Sequence, residues 1–317
     1  MNNYCTLFDS NYLTRGVAMY NSLLKNERKF RLFIFAFDNL AYDILKELDL
    51  KNVIVISLSE FEDERLLKVK KTRSRGEYCW TCSSFSILYI MKHYDVDEVT
   101  YLDSDLFFFS RPQLLLDEFH ESGKSVMITR HRYTPEYDQT ATSGIYCVQF
   151  MTFKNDEDGL NVLNWWVDRC EEWCYARFED GKFGDQKYLD DWMTRFDCVH
   201  ELQHLGGGVA PWNVQQYKVA EGPQVDGVPV VFYHFHNLKW LTDNEFNVST
   251  YRLQDEVKQM IYYPYLIALK NSLLQIRLNW QVDFGLGMIG PEKIGLKNLI
   301  KQKIKVLLGR TNKMSVS

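Results

Sequence analysis

Two kinds of apolar pattern alternate along most of the chain. Nearly continuous apolar runs, "YCTLF" (4–8), "FRLFIFAFD" (30–38), "NVIVISLSEF" (52–61), "EVTYLDSD" (98–105), "SVMITRHR" (125–132) and "SGIYCVQFMTFK" (143–154), read as strands. Between them apolar positions recur every three or four residues, as at Val17, Tyr20, Leu23 and Leu24. That spacing predicts helices over "GVAMYNSLLKN", "AYDILKEL", "SFSILYIMKHY" and the long "DGLNVLNWWVDRCEEWCYAR". Strands apolar on both faces, alternating with helices, predict an α/β fold with a mixed, mostly parallel sheet covered on both sides. Ligands of such sheets bind beyond the carboxyl ends of the strands. Two polar breaks fall at such ends, Asp9-Ser10-Asn11 and Asp103-Ser104-Asp105, and so share one sheet edge. Beyond residue 245 helical spacing takes over, which predicts one domain over 1–245 and a helical C-terminal extension over 246–317.

Charge changes this picture in one place. The net charge of −5 excludes nucleic acid as a partner of the molecule as a whole. From Lys293 to the end there are six Lys, one Arg and no acid, so this stretch carries +7 and leaves −12 on the rest. Leu296, Leu299, Ile300, Ile304, Leu307 and Leu308 form a helical stripe there, with Lys297, Lys301, Lys305 and Arg310 largely off it. A basic amphipathic helix of this kind fits an anionic membrane surface, and an ordinary packed terminal helix is the plain alternative. Seven cysteines at irregular spacing read as free thiols of a reducing compartment. The first residues carry no leader pattern and no run reaches the length of a membrane span, so a cytoplasmic protein is expected.

Asp103 and Asp105 are the first candidate chemistry. Residues two apart in an extended segment point to the same side, so both carboxylates can face one point. Like charges there repel unless a cation lies between them, and such oxygen ligands suit Mg²⁺ or Mn²⁺. A solvated acidic turn is the competing explanation. In "HLGGGVAPWNV" (204–214) the glycines allow close backbone approach, and Trp212 is either a platform for a sugar ring or a buried anchor. The basic residues from Lys68 to Arg75 suit a loop beside an anionic ligand, with Arg73 or Arg75 as contacts, or a solvated loop.

The stretch "VDEVTYLDSDLFFFSRP" resembles the Asp-x-Asp strand end of nucleotide-sugar glycosyltransferases with the GT-A fold. It is most similar to the retaining family that includes glycogenin and the bacterial lipopolysaccharide galactosyltransferases. Further stretches match in the same order, over roughly residues 4–241. "TLFDSNYLTRGVAMYNSLLK" resembles the opening strand-loop-helix, which implies that Asp9, Asn11 and Tyr12 contact the base and ribose. Asp103 and Ser104 would then face the donor diphosphate. "ATSGIYCVQF" resembles the Asn-Ser-Gly strand near donor sugar and acceptor, with Thr142 in place of Asn and Ser143 at the acceptor side. "FGDQKYLDDW" resembles the Gly-Asp-Gln segment, which places Asp185 and Gln186 under the donor sugar. Alone, that segment also reads as an Asp cap before a helix. "FYHFHNLKWL" resembles the final His segment, with His234, or alternatively His236, as third metal ligand and Lys239 on a phosphate.

The resemblance implies transfer of a sugar from a UDP-linked donor, with Mn²⁺ or Mg²⁺ and retention, to a glycan or lipid-linked saccharide. An imidazole ligand tilts the choice toward Mn²⁺. Two rivals remain, a sugar-nucleotide pyrophosphorylase and a carbohydrate-binding protein with a degenerate site. The first needs a Gly-rich basic loop after the opening strand, which "FDSNYLTRG" lacks.

Overall fold

The computed structural model describes residues 1–281, 287–288 and 312–316. Most of the basic stretch 293–317, and with it the membrane-helix expectation, lies outside the described residues.

A seven-stranded sheet forms the centre. Its strands are β1 (Asn2–Phe8), β2 (Phe30–Ala36), β3 (Val53–Ser57), β4 (Glu98–Leu102), β6 (Val126–Arg130), β7 (Tyr146–Lys154) and β8 (Val199–Glu201), in the order β3-β2-β1-β4-β7-β6-β8. β1, β2, β3 and β4 run parallel, whereas β7 is antiparallel to both β4 and β6. Because β7 is reversed, its first residues run past the end of β4, whose last residue Leu102 pairs with Phe150, to the edge where ligands bind. β5 (Leu106–Phe108) leaves the sheet directly after the Asp-Ser-Asp turn.

Short strands follow, β9 (Val219–Ala220), β10 (Gln224–Val225) and β11 (Val228–Pro229), before β12 (Phe232–His234) pairs antiparallel with β5, His234 opposite Leu106. A ribbon of three residues a side is marginal alone. Packed rings hold this one: Phe232 stacks on Phe150 with centroids 5.1 Å apart, and Phe235 on Tyr265 at 3.7 Å. Each such ring contributes about 1.5–3 kcal/mol by leaving water. Tyr265 belongs to the helix Tyr263–Arg277, which packs on the helix Leu13–Asn26, so residues beyond 245 share a core with those before it.

Local chemistry sharpens several boundaries. The apolar run 52–61 is not one strand: Ser57 caps a helical turn over Leu58–Phe61, with Glu60 closing a capping box. The basic segment is a loop only over residues 71–74. Lys68 and Lys70 end the helix Glu64–Lys70, and a second capping box at Ser74 and Glu77 starts the helix Arg75–His93 nine residues earlier than the apolar spacing implies. The helix expected over 158–177 covers Glu157–Glu172, and the segment after Gln186 is a 3-10 turn, Lys187–Asp191, without a side-chain cap. All seven cysteines are free thiols. Among the described residues no helix is long and apolar enough to cross a membrane.

Candidate active site

A cleft of about 640 Å³ opens at the carboxyl edge of β1 and β4. At one end, the turn after β1 presents Asp9, Asn11 and Tyr12. The Asp9 carboxylate accepts from the Asn11 amide at 2.8 Å and meets the Arg75 guanidinium at 2.5 Å. Arg75 also reaches Asp38 at 2.9 Å. It therefore stands at the Asp9 end of the cleft, while Arg73 lies over the Tyr175 ring, 3.8 Å from its centroid. Tyr12 keeps an open ring face, 43% exposed, with Arg15 4.6 Å from its centroid.

The middle of the cleft holds the acidic turn. The Asp103 amide bonds to the Gln149 carbonyl of β7 at 3.0 Å, which fixes where the turn begins. The β5–β12 ribbon then delivers His234. Its Nε2 lies 3.1 Å from Asp105 Oδ1 and 3.8 Å from Asp103 Oδ2. Its Nδ1 donates to Gln149 Oε1 at 2.7 Å, so Nε2 is the nitrogen turned to the carboxylates. Burial pushes the Asp103 carboxyl up to about 6, with His234 pulling it down and Asp105 pushing it up. Burial would raise Asp105 too, but the imidazole beside it holds that carboxyl at about 2. For His234 burial works downward, and the Asp105 charge overrides it and keeps the ring well above its usual range. Both carboxylates approach the same imidazole nitrogen, and two carboxylates with an imidazole are a donor set of the kind that fits a divalent cation.

His236 is placed differently. Its ring lies 5.6 Å from Trp212 and 5.8 Å from His234, and burial, with the His234 charge adding to it, lowers it to about 4. Trp212 is buried and donates its indole N–H to the His131 carbonyl at 2.9 Å, while its ring still forms cleft wall. The glycines before it serve the protein itself: a Cβ on Gly206 would lie 2.0 Å from the Pro229 carbonyl, and one on Gly207 2.5 Å from Leu202.

The far end carries Ser143, Asp185 and Gln186. Gln186 donates its amide to the Ser143 carbonyl at 2.5 Å. Asp185 follows Gly184, whose φ of +53° and tight approach to the Trp80 ring, 3.3 Å from a built Cβ, call for glycine. Trp166 donates its indole N–H to the Asp185 carbonyl at 2.9 Å. Burial, and then the Asp103 charge, push the Asp185 carboxyl up to about 7.

That shift has a measurable consequence. An unfolded Asp releases its proton near pH 4, whereas the folded Asp185 keeps it to about 7. The folded state therefore binds more protons between those values, and this group's contribution to stability falls as pH rises from 4 to 7. In chelator, Asp185→Asn is expected to flatten that decline, by roughly 2–4 °C in Tm for each kcal/mol removed. Parallel wild-type and variant melting curves across this range would overturn the assignment.

The fold thus gathers Asp9, Asn11, Tyr12, Asp103, Ser104, Asp105, Ser143, Asp185, Gln186, Trp212 and His234 around one cleft. Lys239 is exposed on a two-residue strand and does not line it. Sequence reasoning passed over Cys147 and Gln149, which flank Val148 on β7, and over Trp80, Tyr133 and His131. Polar residues two apart inside an apolar strand were the available signal.

The profile of glycosyl transferase family 8 matches residues 4–156. The uncharacterized protein YfnD of Bacillus subtilis (strain 168) is 31% identical over 298 residues, covering 90% of this chain and 94% of its own. Among solved structures, the apo form of the glycosyltransferase GlyE from Streptococcus pneumoniae TIGR4 superposes with a TM-score of 0.53 at 12% identity, over 87% of this chain and 62% of that one. The galactosyltransferase LgtC, solved with donor and acceptor sugar analogs, gives 0.51 at 11% identity, over 85% and 95%. At such identities the structural likeness is one of fold, and that fold is GT-A. The chain belongs to glycosyl transferase family 8 and is a glycosyltransferase. The pyrophosphorylase and non-catalytic readings fall with that assignment.

Proposed function

We propose that the enzyme moves a sugar, with retention, from a UDP-linked donor to a glycan or lipid-linked saccharide in a reaction that needs Mn²⁺ or Mg²⁺. The observation that carries this reading is the meeting of Asp103, Asp105 and His234 Nε2 in the cleft, between Asp9 and Asp185. Those three residues would hold the cation. When bound, it supplies positive charge against the diphosphate that leaves as the anomeric bond breaks.

The remaining steps belong to the chain. Asp9 and Asn11 take the base and ribose by hydrogen bonds, and the open face of Tyr12 stacks on the base. Asp185 and Gln186 lie under the donor sugar, where Gln186, tied to the Ser143 carbonyl, links the donor floor to the acceptor side. Trp212 and Tyr133 offer ring surface to the C–H face of the acceptor. Lys239 has no part in this scheme.

A panel of nucleotide sugars tests the proposal, each with Mn²⁺, scored by thermal shift and by slow donor hydrolysis. One UDP-sugar is expected to stabilise the enzyme only with metal, and to be hydrolysed. Equal shifts with and without metal, or preference for another base, would sink the corresponding half of the claim.

A further inference from the structure

β7 turns two side chains toward one imidazole. Gln149 holds His234 at Nδ1. Cys147, two residues earlier on the same face of the strand, brings its thiol close to that ring. The Cys147 sulfur, a ring nitrogen of His234 and a carboxylate oxygen of Asp103 all lie within 4.8 Å of one another. Among the described residues this is the one cluster of three or more His, Cys, Asp or Glu ligand atoms drawn that close. Cys147 is only 4% exposed, yet it forms part of the cleft wall. Asp105 Oδ1 lies 3.1 Å from Nε2 of the same imidazole.

We propose that Cys147 is a metal ligand of this enzyme, joining Asp103 and His234 in an oxygen, nitrogen and sulfur set that takes a borderline-soft divalent cation. The inference rests on the reading of Asp103, Asp105 and His234 as the cation site and adds a fourth group to it. Sets of oxygens alone suit Mg²⁺ and Mn²⁺, whereas thiolate with imidazole selects zinc and its congeners. A thiolate is needed for that bond. Coordination therefore forms a metal–sulfur bond, breaks the S–H bond and sends one proton to solvent per cation bound. Metal preference then becomes a property of one position on β7. A hard cation is held by the two carboxylates and the imidazole, and a softer one moves toward the sulfur.

The test uses the full chain with metal ions alone. Cobalt titrated into the wild type is expected to raise a near-ultraviolet thiolate-to-metal charge-transfer band that saturates at one equivalent. In Cys147→Ser the band should vanish, with zinc and cobalt affinity down by about tenfold or more. Mn²⁺ affinity, read by electron paramagnetic resonance, should change by less than about threefold. A band that survives in Cys147→Ser, or bound cobalt without a band in the wild type, overturns the proposal. Cadmium NMR on the unaltered protein serves if the variant does not fold, a resonance outside the sulfur-ligated range counting against Cys147. The underlying site is tested apart, by Mn²⁺ binding in Asp103→Ala. Retention of Mn²⁺ there would refute the carboxylate clamp, whereas Mn²⁺ lost in Asp103→Ala but no sulfur band in the wild type refutes Cys147 alone.

Discussion

Replacing Asp103 and Asp105 together with Ala is expected to lower metal-dependent donor turnover by about a thousandfold or more. The magnitude follows from what a cation contributes in such a reaction. Charge stabilisation at a leaving diphosphate is worth several kcal/mol, and each 1.4 kcal/mol is about tenfold in rate. Loss of fold does not account for the expected effect. Asp103 carries an unfavourable share of the site's electrostatics, because burial and the Asp105 charge both push its carboxyl up, and this offsets the favourable share of Asp105, whose carboxyl the imidazole holds down. Removing the pair also deprives the His234 ring of the charge that keeps it protonated, so it becomes neutral without leaving an uncompensated cation. The double variant should therefore melt close to the wild type in chelator, while losing the extra stability that Mn²⁺ gives the wild type. Donor hydrolysis at saturating Mn²⁺ is the measurement. Activity within tenfold of wild type would mean that these carboxylates are not the clamp.

Trp166→Ala is expected to cost about 3–5 kcal/mol of folding stability, the range for emptying a large buried aromatic site. The residue is fully buried on the helix Glu157–Glu172. Its ring stacks on Phe153 of β7, centroids 6.1 Å apart and planes 9° apart, and meets Trp192 edge-on at 5.9 Å. No neighbour can collapse into that volume without moving the sheet. The indole N–H does a second task, since it satisfies the buried Asp185 carbonyl. Trp166→Phe separates the two: it keeps most of the ring, costs about 1–3 kcal/mol for the orphaned acceptor, and frees Asp185 to shift. Denaturant melts of both variants check the ranking, and a phenylalanine variant as unstable as the alanine one would contradict it.

How much of this was legible in the sequence depended on local rules. The sheet edge was readable because Asp9-Ser10-Asn11 and Asp103-Ser104-Asp105 interrupt runs too apolar to be anything but buried strands. The capping boxes at Ser57 and Ser74 are equally present in the letters, whereas apolar spacing alone runs the first into a strand and starts the second helix nine residues late. Choosing between His234 and His236 was beyond any local rule. The pairing of β12 with β5, a contact between segments more than a hundred residues apart, sets the His234 ring beside both carboxylates. Cys147 escaped for a different reason. A cysteine inside "IYCVQF" reads as one more small apolar residue. Its neighbourhood exists only once β7 is laid antiparallel against β4.

The stack of Tyr265 on Phe235 bears on where the chain can be cut. Residue 245, where helical spacing replaces strand spacing, invites a shortened expression product. Such a product would retain the whole acidic turn and His234, yet lack the ring that backs the ribbon carrying the histidine. It is expected to keep the sheet while letting His234 swing away from Asp105. The smallest fragment that reproduces the cleft therefore runs at least through Arg277, although among the described residues none beyond Tyr251 lines it.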